Sequence, residues 1–96
     1  MKAVFIAYNE AQGAAVLEAL EKLFIKGFTM WEQVQGRGSK DGEPHLGSHA
    51  WPTMNSAMVT FVDDNAAKNL KERLKEIDNL KPALGLRVFT WTIDED

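Results

Sequence analysis

Twice in 96 residues a β-rich run is followed by an amphipathic helical stretch and then by a second β-rich run, and few folds accept that order in so short a chain. Lys2 to Tyr8 is apolar at nearly every position, as expected of a strand covered on both faces. Asn9 offers an N-cap, with Gln12 three residues on in the reciprocal position of a capping box. The stretch that follows is expected to be a helix with Gly13, Leu17, Leu20 and Phe24 on its buried stripe, Glu18 and Lys22 paired outside, and Gly27 as the glycine that ends it.

Phe28 to Gln35 alternates as a strand, with Phe28, Met30 and Val34 on one side and Thr29, Trp31 and Gln33 on the other. Ser56 to Val62 alternates again. Asp63, Asp64 and Asn65 supply caps for a second helix, whose stripe is Ala67, Leu70, Leu74 and Ile77 and whose outer face carries Lys68, Lys71, Glu72, Lys75 and Glu76. Pro82 and Gly85 close it, and Leu86 to Ile93 is a last strand before an acidic tail. The order βαββαβ predicts one α+β domain spanning 1–96: a ferredoxin-like sandwich with both helices on one sheet face and a long loop, residues 36–55, between strands two and three.

The face away from the helices should then be polar, yet the sequence leaves neither face so. Strand one sets Val4, Ile6 and Tyr8 against Ala3, Phe5 and Ala7; Met58 and Val62 oppose Val59 and Phe61, and Phe89 and Trp91 oppose Leu86 and Val88. A wet apolar face forfeits stabilisation and invites aggregation, so self-association into a homo-oligomer is expected.

With 45% hydrophobic and 26% charged residues the chain reads as globular, and its formal charge of -3 argues against nucleic acid or an anionic membrane surface as partner. The absence of cysteine excludes disulfides, thiolate metal sites and cysteine nucleophiles. No run is long enough to insert directly into a membrane, and the start lacks a signal-like apolar region, so a cytoplasmic location is expected. No nucleophile stands beside a base at a motif spacing and there is no Walker lysine, so the chain is not expected to be an enzyme.

What remains is the segment Val34–Ser56, which holds four of the seven glycines, two of the three prolines and both histidines. Loops of this length inside a small domain are usually functional or disordered. His45 and His49 stand four residues apart with Asp41 and Glu43 just upstream, the beginnings of a divalent-metal site that needs further ligands. Trp51, before Pro52, fits either a staple holding the loop to the body or an anchor for a partner protein. Trp31 and Trp91 read as core or interface, and Glu32 as a buried carboxylate or one at a subunit joint. The triplet Val34-Gln35-Gly36 is shared with the acylphosphatase signature, but that enzyme's glycine loop follows strand one and carries an arginine, whereas here strand one runs into "YNEAQGA".

Strand two running into "VQGRGSKDG" resembles the start of the T-loop in PII signal-transduction proteins, with Val34, Gly36, Gly38 and Gly42 at the family spacing. The resemblance implies a homotrimeric regulator that binds a small effector, often an adenine nucleotide, in clefts between subunits. Gly36, Arg37 and Gly38 match the loop base that meets the ligand, with Lys40 and Arg87 as further cations toward an anionic effector. The loop, through Glu43, His45, His49 and Trp51, would contact a partner protein. ATP-binding members carry a glycine-rich basic turn, T-G-x-x-G-D-G-K, before the last strand; here that turn reads "NLKPALGLR", with Lys81, Gly85 and Arg87 its only comparable residues, which implies a divergent member and leaves the effector's identity open. The alternative is the CutA branch of the same superfamily, a trimer that would bind divalent metal through His45 and His49.

Overall fold

The structure, a computed structural model, describes residues 1–34 and 54–95. Its elements are β1 (Lys2–Asn9), a 3-10 turn (Glu10–Gln12), α1 (Gly13–Lys22), β2 (Thr29–Val34), β3 (Asn55–Val62), α2 (Asp64–Leu80), a second 3-10 turn (Pro82–Leu84) and β4 (Arg87–Thr92). The four strands form one sheet in the order β2-β3-β1-β4 with every neighbouring pair antiparallel, which is the ferredoxin-like arrangement the element order implies. Most of the expected 36–55 insertion lies outside the described residues.

β1, apolar on both faces, is one of the two inner strands of the sheet. It pairs along its length with β3, from Lys2 opposite Val62 to Asn9 opposite Asn55, and with β4, from Lys2 opposite Thr92 to Ala7 opposite Arg87. Val4, Ile6 and Tyr8 face the helices and meet Met58, Leu86, Val16, Ala19, Leu20, Leu70 and Leu74 in a single core. In α2 the anticipated stripe is the buried one: Ala67, Leu70, Leu74 and Ile77. Each fully buried leucine there contributes on the order of 1.5–3 kcal/mol. Asp63 caps this helix, its side chain accepting from the Ala66 N–H at 2.7 Å.

α1 departs from expectation. The capping box at Asn9 and Gln12 is present, but it opens the 3-10 turn that precedes the α-helix. The buried stripe is Val16, Ala19 and Leu20, with Leu23 packed beside it, while Leu17 and Phe24 are 38% and 86% exposed. The reason lies in how the helix ends. It stops at Lys22, the Leu23 N–H closes back on the Ala19 and Leu20 carbonyls, and Phe24 takes a left-handed φ of 59° that swings its ring into solvent. Phe24, and not Gly27, holds the left-handed position; the Gly27 carbonyl instead accepts from the Thr60 hydroxyl.

β2 is also less regular than its alternation implies. Its pairing with β3 slips between Trp31 and Val34, and Gln33 sits in the slip with φ of 56°. Met30 reaches the core edge, and Glu32 is exposed rather than buried.

The face away from the helices is apolar, as the sequence requires. Ala3 lies opposite Phe61 on one side and Trp91 on the other, and Phe5 opposite Val59 and Phe89. Ala3 is fully covered by this arrangement although Phe61, Phe89, Trp91 and Trp31 are each about half exposed, at 55%, 57%, 49% and 49%. Among the described residues no helix is long and apolar enough to cross a membrane.

Candidate functional site

Polar chemistry concentrates at one end of the sheet, where β1 stops and β3 begins. Four of the buried polar residues, Asn9, Gln12, Asn55 and Ser56, stand there, whereas Thr60 is buried further along the sheet. Asn9 explains the first two: its Oδ1 accepts from the Ala11 N–H at 2.8 Å, and the Gln12 side chain accepts from the Asn9 N–H at 3.3 Å. The Glu10 N–H donates to the Met54 carbonyl at 2.9 Å, pinning this corner to the first residue described after the loop. The Asn9 Nδ2 is buried there and finds no acceptor among the described residues.

Beside this corner is a pocket of about 210 Å³, shaped chiefly by Tyr8, Glu10, Met30, Glu32, Gln33 and Ser56. Tyr8 is its floor; the phenol donates to the Met30 Sδ at 3.3 Å. Burial raises the Tyr8 pKa above the ordinary value, the Glu32 carboxylate raises it further, and the hydrogen bond with Ser56 opposes them. The strained Gln33 lies on the wall, immediately before Val34. The described wall carries two carboxylates, Glu10 and Glu32, and no cation.

Of the effector residues anticipated from the sequence, Gly36, Arg37, Gly38 and Lys40 lie outside the described residues, as do the loop residues Glu43, His45, His49 and Trp51. Arg87 is described. It heads β4 opposite Ala7, half-buried, with its guanidinium donating to the Leu86 carbonyl at 2.9 Å. The turn before it is a 3-10 turn closed by Gly85 at φ of 73°, a conformation that favours glycine. Arg87 therefore shares an end of the sheet with Val34 but sits on the opposite edge. Among the described residues no group of three histidine, cysteine or carboxylate side chains could hold a metal ion.

Sequence reasoning passed over Tyr8, Gln33 and Ser56. Tyr8 is the chain's one tyrosine and ends the central strand, a signal that could have been weighed; nothing in the sequence marks the left-handed turn at Gln33.

No family model matches the sequence, and no curated protein matches it. Solved structures do. The chain is similar to CPII of Thiomonas intermedia K12, a nitrogen regulatory PII-like protein bound to ADP, AMP and bicarbonate, with a TM-score of 0.75 and 18% identity over 94% of this chain and 82% of that one. The apo form of CPII aligns with a TM-score of 0.70 and 16% identity over 94% and 85%. A PII-like signalling protein of Thermus thermophilus aligns with a TM-score of 0.67 and 21% identity over 94% and 83%. The chain has the fold of the PII-like signalling proteins.

Proposed function

We propose that this chain is a divergent PII-like regulatory protein: a cytoplasmic homotrimer, not an enzyme, that binds a small effector in the clefts between its subunits. The observation that carries this reading is the fold match over 94% of the chain to a PII-like protein, at a TM-score of 0.75. The apolar open face of the sheet supports the assembly. Removing about 400 Å² of such surface from water favours association by about 10 kcal/mol, against which the entropy of association must be set.

The effector meets Gly36, Arg37 and Gly38 at the loop base, with Lys40 and Arg87 supplying further positive charge. Glycines let the backbone approach an anion closely, and arginine pairs with it through two parallel hydrogen bonds. Glu43, His45, His49 and Trp51 contact a partner protein. Because CPII is bound to ADP, AMP and bicarbonate, these three are the first effectors to try. The CutA-like reading, with divalent metal on His45 and His49, is not favoured by the similar structures, which are PII-like.

Isothermal titration of the purified protein with ADP, AMP and bicarbonate, singly and in pairs, tests the reading. Saturable binding that Arg37→Ala weakens about tenfold or more, or abolishes, supports it; binding of none of the three, or binding indifferent to Arg37, counts against it.

A further inference from the structure

The sheet has two open edges, β2 and β4, and beside each, on the helix side, lie two hollows end to end. Beside β2 the pocket of about 210 Å³ continues through Leu17 into a hollow of about 530 Å³ floored by Leu20 and Ile25. Beside β4 a hollow of about 280 Å³ at Arg87 continues past Lys71 and Lys75 into one of about 490 Å³ that reaches Lys2 and Thr90. Both grooves open away from the sheet face that the proposed assembly covers. Their strand residues Met30 and Thr90 pair with Met58 and Val4, which face the helices.

The two grooves carry opposite charge. The one beside β2 is lined by the carboxylates of Glu10, Glu21 and Glu32 and by a single cation, Lys26. The one beside β4 sets Lys2, Lys68, Lys71, Lys75 and Arg87 against Asp64, Glu72 and Asp78. Asp64 is already engaged, 3.5 Å from the Met1 ammonium. The described ion pairs are Met1–Asp64, Glu18–Lys22 and Arg73–Glu76. Among the described residues, therefore, neither the three carboxylates of the first groove nor Lys68, Lys71 and Lys75 of the second has an ion-pair partner. The first groove is also uncovered apolar surface: Leu17, Phe24 and Phe28 are exposed there, Phe24 through its left-handed φ of 59°.

An effector cleft between subunits that uses both the loop base after Val34 and Arg87 brings the β2 edge of one protomer to the β4 edge of the next, because these residues stand on opposite edges. A closed ring of three repeats that head-to-tail contact at every joint. We propose that each joint is closed on the helix side by the α2 lysine row of one protomer lying in the acidic β2-side groove of its neighbour. The inference rests on the homotrimeric reading and adds to it which surfaces meet. Lys68, Lys71 and Lys75 supply the cations that Glu10, Glu21 and Glu32 lack, and their aliphatic stems cover Leu17, Phe24 and Phe28. Opposite charges at the joint offset the mutual repulsion of chains that each carry a formal charge of -3.

The test is dissociation of the trimer at low salt, followed by sedimentation velocity through a dilution series. Combining Glu10→Lys, Glu21→Lys and Glu32→Lys turns the formal charge of -3 into one of equal size and opposite sign, so general repulsion between subunits stays as it was. This variant is expected to need about tenfold or more protein to assemble, the order that three exposed ion pairs supply. Lys68→Glu, Lys71→Glu and Lys75→Glu together are expected to do the same. A chain with all six reversals is expected to assemble within about threefold of the original concentration, since the charges at each joint are then exchanged and again complementary. Circular dichroism checks the fold of each variant. The corresponding glutamine triples, which only delete charge, are expected to shift assembly in the same direction by less, and they replace any reversal that unfolds. Assembly unmoved by either triple, or a six-reversal chain as weak as the triples, overturns the proposal while the trimer itself stands. A chain that is monomeric before any substitution overturns the homotrimeric reading and this inference with it.

Discussion

Val34, which ends β2, and Arg87, which begins β4, stand at the same end of the sheet on its two opposite edges, with β3 and β1 between them. Three inter-strand steps separate those edges by about 14 Å. In the proposed trimer, a small effector that touches the loop base just after Val34 is therefore expected to meet the Arg87 of a neighbouring subunit rather than that of its own chain. On the proposed trimeric reading, Arg37→Ala and Arg87→Ala each weaken ADP binding about tenfold or more, the cost of one charge-assisted hydrogen bond. Mixed trimers of the two variants then recover tight binding at those interfaces that join one intact Arg37 to one intact Arg87. Calorimetry on co-refolded variants shows this; absence of recovery places both arginines in the same subunit's site.

Phe61 and Trp91 flank Ala3 on the open face and remain about half exposed in the protomer, at 55% and 49%. Replacing either by lysine places a charge on the surface that the proposed assembly covers, at little cost to the protomer itself. Phe61→Lys and Trp91→Lys are expected to yield monomers with native circular dichroism, as measured by light scattering after size exclusion. A variant that stays assembled shows that the open face is not the interface.

Neighbours in sequence differ sharply in α1. Leu20 is 1% exposed whereas Leu17 is 38% exposed. Leu20→Ala is expected to cost about 2–5 kcal/mol in urea unfolding, and Leu17→Ala no more than about 0.5 kcal/mol in the isolated protomer. A large loss for Leu17→Ala as well as for Leu20→Ala would restore the stripe read from the sequence.

That stripe shows where sequence reading works and where it stops. In α2 the buried set Ala67, Leu70, Leu74 and Ile77 was legible because every other position before the terminal Leu80 is polar or small and only one helical phase fits. In α1 two phases fit, Gly13-Leu17-Leu20-Phe24 and Val16-Ala19-Leu20-Leu23, and the larger residues favour the wrong one. Only the tertiary turn at Phe24, which takes its ring out of the helix, decides between them. The bulge at Gln33 has no local signal either, since glutamine has no preference for a left-handed φ. Of the anticipated site, Arg87 alone falls in the described residues, and its edge position depends on strand order, which alternation patterns do not encode. The lysines of α2 were visible as an outer face, but what they face was not.

Tyr8 is the chain's one tyrosine, so tyrosinate absorbance reports it alone. Burial, and after it the Glu32 charge, raises its pKa above the ordinary 10.0. The folded protein therefore holds this proton more tightly than the unfolded chain does. The resulting stabilisation is complete below the unfolded tyrosine value and lost as pH rises through the folded one. The titration midpoint is expected above 10.0 in the folded protein and to fall to the ordinary value in urea. Glu32→Gln is expected to lower the folded midpoint by removing the nearby charge. A midpoint at or below the ordinary value contradicts the pocket geometry.

The central claim, that this fold works as a homotrimer with its sites between subunits, is tested most directly by native mass spectrometry of gently purified protein. The account predicts a species of three times the 10.8 kDa chain mass, with added mass when ADP or AMP is supplied. A monomer at micromolar concentration contradicts it, removing the cover for the open sheet face and the neighbour that completes the site.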